Sequence, residues 1–159
     1  MLEDAIGAGW DRRRLLKLML WGPLLLSRSL LHAQTAPGRV FGSDAGMILN
    51  TIKPEKTADF ETVIERLKAA LNASSDPVRK QQAAGWKVFK ALEPGGNNTV
   101  LYVFWINPAV KGADYTVSKI LSEAFPNEVN DLYQKFSSAY SGGQTMVNLQ
   151  LLSTMAPAV

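Results

Sequence analysis

Residues 47–71, MILNTIKPEKTADFETVIERLKAAL, contain a strand followed directly by a helix, and this pair decides the fold. The segment Met47–Lys53 is rich in apolar and β-branched side chains and stops at Pro54, which predicts a strand. The helix that follows has apolar side chains spaced three and four residues apart, at Phe60, Val63, Ile64, Leu67 and Leu71. One side of this helix is therefore expected to face a core.

Two more strands are predicted next, over Trp86–Leu92 and Thr99–Ile106. The segment between them, Glu93–Asn98, contains Pro and two Gly residues, so the two strands are expected to form an antiparallel hairpin.

A helical pattern resumes at Asp114, breaks at Pro126 and continues from Asn127. The pair Gly142-Gly143 is predicted to end that helix. Thr145–Leu152 then alternates apolar and polar side chains, as a half-exposed last strand does.

The predicted order is strand, helix, strand, strand, helix, strand. This βαββαβ order is that of a ferredoxin-like α+β domain, an antiparallel four-stranded sheet with its helices on one face. The other face of such a sheet is bare and must be covered. Two copies that pack these faces together would close a barrel-like core, so we expect a homodimer.

Three short features add a resemblance to a known family. Ile52-Lys53-Pro54-Glu55-Lys56, the helix Phe60–Leu71 and the tryptophan in Phe104-Trp105-Ile106 resemble dimeric α+β barrel proteins, in particular the antibiotic-biosynthesis-monooxygenase-like group. The similarity covers about Met47 to Met155. It implies a cofactor-free oxygenase, a haem-degrading enzyme or a protein without known activity. Haem degraders rely on a histidine ligand, which residues 34–159 lack.

A basic segment, Asp11-Arg12-Arg13-Arg14-Leu15-Leu16-Lys17, precedes an apolar run of nine residues at 18–26. This run is shorter than the roughly 20 residues that cross a bilayer, and it is typical of an export signal. The segment resembles the twin-arginine signal, Ser/Thr-Arg-Arg-x-Phe-Leu-Lys, with Arg12 and Arg13 as the pair and Leu15, Leu16 and Lys17 after it. It departs from that pattern at Asp11 and at Leu15.

We therefore expect residues 1–33 to be cleaved after Ala33, residues 34–46 to be a flexible lead-in and residues 47–155 to be the folded domain. The expected location is the bacterial periplasm or the medium, reached through the twin-arginine machinery. The general secretory route and an uncleaved N-terminal anchor are the alternatives. No membrane span is expected in the mature form.

Composition narrows the chemistry of the mature domain. Of 17 basic and 14 acidic residues, five and three lie in the signal, so the remainder is almost neutral and nucleic-acid binding is not expected. The chain has no cysteine, and its one histidine, His32, lies in the signal. Zinc sites of the usual ligand sets, Ser-His-Asp triads and Cys-His pairs are thereby excluded. We predict no metal and no cofactor.

The candidate ligand-binding residues are aromatic side chains on the two hairpin strands and an amide on the first strand: Asn50, Trp86, Tyr102, Phe104 and Trp105. The aromatic side chains would line a pocket for a small apolar ligand, or else belong to the core or a dimer interface. The resemblance implies that Asn50 orients a substrate or oxygen; the alternative is a hydrogen-bonded structural amide. No catalytic residue is assigned.

Two functions follow from these observations. One is an exported, non-catalytic protein that binds a small apolar ligand or associates with itself. The other is a cofactor-free monooxygenase that acts on an aromatic or lipophilic substrate.

Overall fold

The structure is a computed structural model that describes residues 38–155. The predicted twin-arginine signal, with Arg12 and Arg13, lies outside the described residues. Within residues 38–155 no helix is both long and apolar enough to cross a bilayer.

The described chain forms a four-stranded antiparallel sheet with helices on one of its faces. The strands are β1 (Ala45–Ile52), β2 (Trp86–Lys90), β3 (Val100–Ile106) and β4 (Tyr140–Leu149). The helices are α1 (Thr57–Ala73), α2 (Pro77–Gly85), α3 (Val117–Ala124) and α4 (Val129–Ala139), with short 3-10 turns at Pro54–Lys56 and Gly96–Asn98.

The strand order across the sheet is β2-β3-β1-β4. Each neighbouring pair is antiparallel, with β1 and β3 in the centre. This is the split βαβ arrangement, so the predicted ferredoxin-like α+β fold is confirmed.

Two elements differ from the prediction. The first is α2, which the sequence analysis did not include; Asp76 caps it by accepting a hydrogen bond from the Val78 amide, and Pro77 occupies its first turn. The second is the end of α4, which lies at Ala139 rather than at Gly142-Gly143. Those glycines are inside β4, because Tyr140 already pairs with Ile52 of β1, and β4 ends at Leu149 rather than at the predicted Leu152.

The described part of the predicted lead-in, residues 38–46, belongs to the fold. The Phe41 side chain is fully buried, and its ring meets the Tyr115 ring edge-on at 5.2 Å between centroids. A Cβ at Gly46 would collide with the Phe41 ring and lie 2.9 Å from the Val147 carbonyl oxygen, so a glycine there lets the lead-in pack closely on the sheet. One large aromatic residue thus anchors a segment whose composition is typical of a linker.

The core lies between the sheet and the helices and is centred on Phe60 of α1. The Phe60 ring centroid is 4.8 Å from that of Tyr102, 5.8 Å from that of Phe136 and 5.9 Å from that of Tyr140. This one side chain therefore ties α1 to β3, to α4 and to the start of β4. Aromatic pairs at these separations add to the free energy gained by burying their area.

Candidate functional site

The sheet has one face toward the helices and one face open. The register places Met47 beside Trp105 and Val147, and Leu49 beside Val103 and Thr145. We define the open face as the side chains on the side away from the helices: Ala45, Met47, Leu49, Thr51, Lys87, Phe89, Leu101, Val103, Trp105, Thr145, Val147 and Leu149. None of them belongs to the core cluster that the helices cover.

The open face is apolar over most of its area. Its one charged residue, Lys87, lies on β2 at an edge of the sheet. Phe89, also on β2, is 53% exposed, while Val103 and Trp105 on β3 are half-buried by their neighbours within the sheet. Antiparallel sheets that face water usually present polar side chains there. This face has the composition of a buried surface.

A shallow furrow runs along this face between β2 and β3. Lys87, Phe89, Val103 and Trp105 line it. A second concavity begins at Trp105 and extends to Ala45, Leu149 and Leu151 at one end of the sheet. Trp105 therefore separates two depressions whose walls are mainly apolar.

Asn50 lies on the other face, in a closed network of hydrogen bonds. Its side-chain oxygen accepts from the Tyr140 hydroxyl at 2.9 Å and from the Gln144 amide at 2.8 Å. Its side-chain nitrogen donates to the carbonyl oxygens of Ile48 and Tyr102. Asn50 is fully buried, and burial raises the pKa of Tyr140 well above its ordinary value. Burial thus keeps that phenol protonated, and its hydroxyl donates to Asn50.

Tyr102 takes part in a second polar cluster at the β2 side of the helices. Its hydroxyl donates to Glu61 at 2.5 Å, and Lys90 contacts the same carboxylate at 2.8 Å. The hydrogen bonds from Lys90 and Tyr102 lower the pKa of Glu61, while burial and the Glu61 contact raise the pKa of Tyr102. Two donors hold this carboxylate ionised, and the cluster joins α1 to β2 and β3.

Trp86 lines a cavity of about 230 Å³ between α1, α2 and β2. The walls include Ile64, Leu67, Leu71 and Ala83, with Glu65 and Lys68 also among the lining residues. The indole Nε1 of Trp86 is buried and meets no hydrogen-bond acceptor within residues 38–155. Buried hydrogen-bond donors almost always have an acceptor, so the unpaired N–H of Trp86 is an exception.

The five sequence candidates occupy four places rather than one pocket. Asn50 is in the buried network, Trp86 lines the cavity, and Trp105 is on the open face. Tyr102 and Phe104 are core side chains stacked near Phe60. Whether any of them binds a ligand stays a prediction. The described residues contain no cluster of three acidic, His or Cys side chains that would hold a metal ion.

Sequence reasoning missed the partners of these residues. Tyr140 and Gln144 reach Asn50 only because β4 pairs with β1, which no local pattern reveals. The position of Phe89 could have been predicted from the sequence. It alternates with Val88 along β2 and therefore lies on the same face of the sheet as Val103.

No known family model matches the chain, and no curated protein matches it. Among solved structures, it is similar to a mutant of SnoaB, a cofactor-independent oxygenase from Streptomyces nogalater. That similarity covers 72% of this chain and all of SnoaB, with 13% sequence identity and a TM-score of 0.37. At this identity and TM-score the similarity gives no further evidence for the fold. The fold assignment is based on the strand order.

The network around Asn50 predicts a specific loss of stability. In Asn50→Leu the buried Tyr140 hydroxyl loses its acceptor, at a cost of about 1–3 kcal/mol for an unpaired buried group. We expect urea unfolding to show this loss. The control is Asn148→Leu, which removes an amide that accepts from the Gly42 amide and the Ser43 hydroxyl at an exposed position, and which should cost less than about 1 kcal/mol. Equal losses in the two variants would contradict a buried structural role.

Proposed function

We propose that this chain is a self-associating domain whose two copies pack their open faces together. The observation that carries the proposal is the apolar composition of that face, which the helices of residues 38–155 leave uncovered. Burying apolar surface gains about 25 cal/mol per Å², and no other described surface of the sheet offers that gain.

The distribution of charge supports a second copy as the partner. In a two-fold dimer the same patch lies on both sides, so any charge at its centre would meet its own image. On this face Lys87 lies at the edge and the central positions Leu49 and Val103 are uncharged. The face is therefore compatible with its own copy.

The proposal assigns the chain no reaction. The polar side chains that reach into the core use their donors and acceptors on one another: Asn50 with Tyr140 and Gln144, and Glu61 with Tyr102 and Lys90. These contacts satisfy the buried polar groups without a substrate.

A charge at the centre of the open face tests this function. Val103 lies between Leu49 and Phe89, and Val103→Glu would bury two unpaired carboxylates in the dimer. An uncompensated buried charge costs about 3 kcal/mol or more, which corresponds to a dissociation constant at least ~100-fold higher. We expect sedimentation equilibrium to show a folded monomer.

The matched control is Leu92→Glu, which adds the same charge at a side chain that is 94% exposed and lies beyond the end of β2. Its dissociation constant should stay within about threefold of the unmodified protein, because the charge remains in water. An unchanged dimer in Val103→Glu would refute the interface.

The cavity beside Trp86 favours a second candidate function, the binding of a small apolar molecule. The cavity beside Trp86, about 230 Å³, exceeds the ~150 Å³ cavity that holds benzene in an engineered protein. The oxygenase predicted from the resemblance would consume dioxygen when it acts on such an aromatic molecule. Measuring dioxygen uptake with an oxygen electrode therefore distinguishes turnover from binding alone.

Acetophenone is a suitable probe of this cavity. We expect its titration to move the Trp86 indole N–H resonance saturably in a ¹⁵N–¹H spectrum, because the ring current of an aromatic molecule in the cavity acts on the indole that lines it. Ala83→Leu extends a lining side chain into the cavity and should abolish the shift, whereas the exposed substitution Ala84→Leu should not. A shift that persists in Ala83→Leu, or none in the unmodified protein, would contradict this site.

We propose further that the domain acts outside the cytoplasm, because Arg12, Arg13, Leu16 and Lys17 follow the twin-arginine pattern, with Leu15 in place of its Phe. Replacing both arginines of the pair with lysine keeps the charge and should stop export, leaving full-length protein in the cytoplasm. The control is Arg14→Lys at the variable position, which should leave export unchanged. Cell fractionation reads out both, and export of the double variant would refute the route.

A further inference from the structure

The six residues 38–43, which we call the strap, are bound to later parts of the chain before β1 begins. The Arg39 backbone N–H donates to Asp114 Oδ1 at 3.1 Å. At the other end of the strap, the Gly42 N–H donates to the side-chain oxygen of Asn148 at 3.0 Å. The two ends of the strap therefore depend on residues that lie 75 and 106 positions further along the chain.

Three aromatic rings in series connect the strap to the cavity beside Trp86. The buried Phe41 ring meets the Tyr115 ring at 5.2 Å between centroids, and Tyr115 meets Trp86 at 5.3 Å. Trp86 is a wall of the cavity, whereas Phe41 and Tyr115 are not among its lining residues. Tyr115 is fully buried, and its hydroxyl accepts from the Val110 N–H at 2.9 Å. Because a close-packed interior transmits a displacement, loss of the Phe41 ring reaches Trp86 through Tyr115.

Asp114 provides a second connection between the strap and the cavity. Its carboxylate accepts from the strap, and its carbonyl oxygen accepts from the side chains of Arg79 at 2.8 Å and Gln82 at 3.1 Å. Both of these side chains belong to α2, which also carries Ala83 of the cavity wall and runs directly into Trp86. The same residue thus holds the strap on one side and a wall of the cavity on the other.

Helix α2 is the part of the cavity wall that most needs this support. It has nine residues, and a helix of that length is not stable by itself in water. Its buried residues are Gln82 and Gly85, while Val78 is 40% exposed. Elements with few buried apolar contacts open at a low free-energy cost. The position of α2 therefore depends on the contacts that Asp114 and Tyr115 supply.

We propose that the strap controls the cavity beside Trp86. When residues 38–43 are docked, Tyr115 and Asp114 hold α2 and Trp86 in place; when they are released, this wall loosens. The effect on ligand affinity rests on the binding function proposed above for the cavity, and the effect on α2 does not. Since coupling between two sites is reciprocal, a ligand in the cavity also favours the docked strap. The strap thus regulates a site that it does not line.

Phe41→Ala tests this coupling, because it removes the anchor of the strap and keeps every lining residue of the cavity. The matched control is Phe136→Ala, which deletes the same ring from α4, where it packs on Phe60 and Tyr140. Hydrogen exchange of the full-length protein without ligand is the first measurement. Relative to the α4 amides of the same protein, the α2 amides should exchange about tenfold faster or more in Phe41→Ala and no faster in Phe136→Ala.

Acetophenone binding is the second measurement. Its dissociation constant should rise about fivefold or more in Phe41→Ala, because the released strap leaves the wall of the cavity loose. In Phe136→Ala the dissociation constant should stay within about twofold of the unmodified protein, because Phe136 does not contact Tyr115 or α2 in the aromatic series.

A pair of cysteines tests the same coupling with Phe41 kept, in case Phe41→Ala does not fold. A Cβ at Gly38 would lie 3.1 Å from Asp114 Cγ, and the chain has no other cysteine, so Gly38→Cys/Asp114→Cys is placed to form a disulfide. The oxidised form should keep slow α2 exchange and the reduced form should lose it. The single variant Gly38→Cys should respond to neither oxidation nor reduction.

The outcomes separate the strap from the ligand site. Equal α2 exchange with the strap docked and released overturns the inference, whether or not acetophenone binds. Faster α2 exchange on release, with an unchanged dissociation constant, also overturns it, because the strap then has no control over the site. Faster α2 exchange in a protein that binds no acetophenone in its unmodified form supports the link between strap and α2 and refutes the binding function.

Discussion

The rest of the structure depends on the fact that a four-stranded sheet has two faces and that the helices of the described chain cover one. On the covered face, Phe60 brings β3, α4 and the start of β4 together through aromatic contacts. On the open face, Leu49 and Val103 occupy the centre with no layer above them among residues 38–155. The same hydrophobic effect that builds the first layer acts on the second face and favours association.

The polar groups of the core serve the same arrangement. Asn50 interrupts an apolar strand, yet three of its hydrogen bonds join β1 to β3 and β4. Glu61 joins α1 to β2 and β3 through Lys90 and Tyr102. Both clusters link neighbouring strands on the covered face. The register of those strands places Met47, Leu49, Val103 and Trp105 together on the open face.

Local patterns were sufficient to predict most of the fold. The helix of Phe60 and Leu67 and the hairpin before Ile106 follow from spacing alone, since each buries one face. The strand order and the bare face follow from the order of elements. Helix α2 escaped prediction because its buried residues, Gln82 and Gly85, are not apolar side chains with a helical period. The start of β4 escaped because its glycines also fit a helix end.

The candidate site was less predictable because it depends on register. Alternation shows that Phe104 and Trp105 lie on opposite faces, but it does not show which face meets the helices. The partner of Asn50 was likewise hidden, since Gln144 is 94 residues away in the chain. The anchoring of Phe41 on Tyr115 is equally non-local, and composition alone predicted flexibility there.

The account's central claim is that the open face is an interface between two copies. Small-angle X-ray scattering of the unmodified protein over a range of concentrations measures this most directly. If the open faces pack together, the forward scattering corresponds to two chains and the whole curve fits a dimer with the helices outside and the sheets at its centre. Forward scattering of one chain at every concentration would contradict the interface.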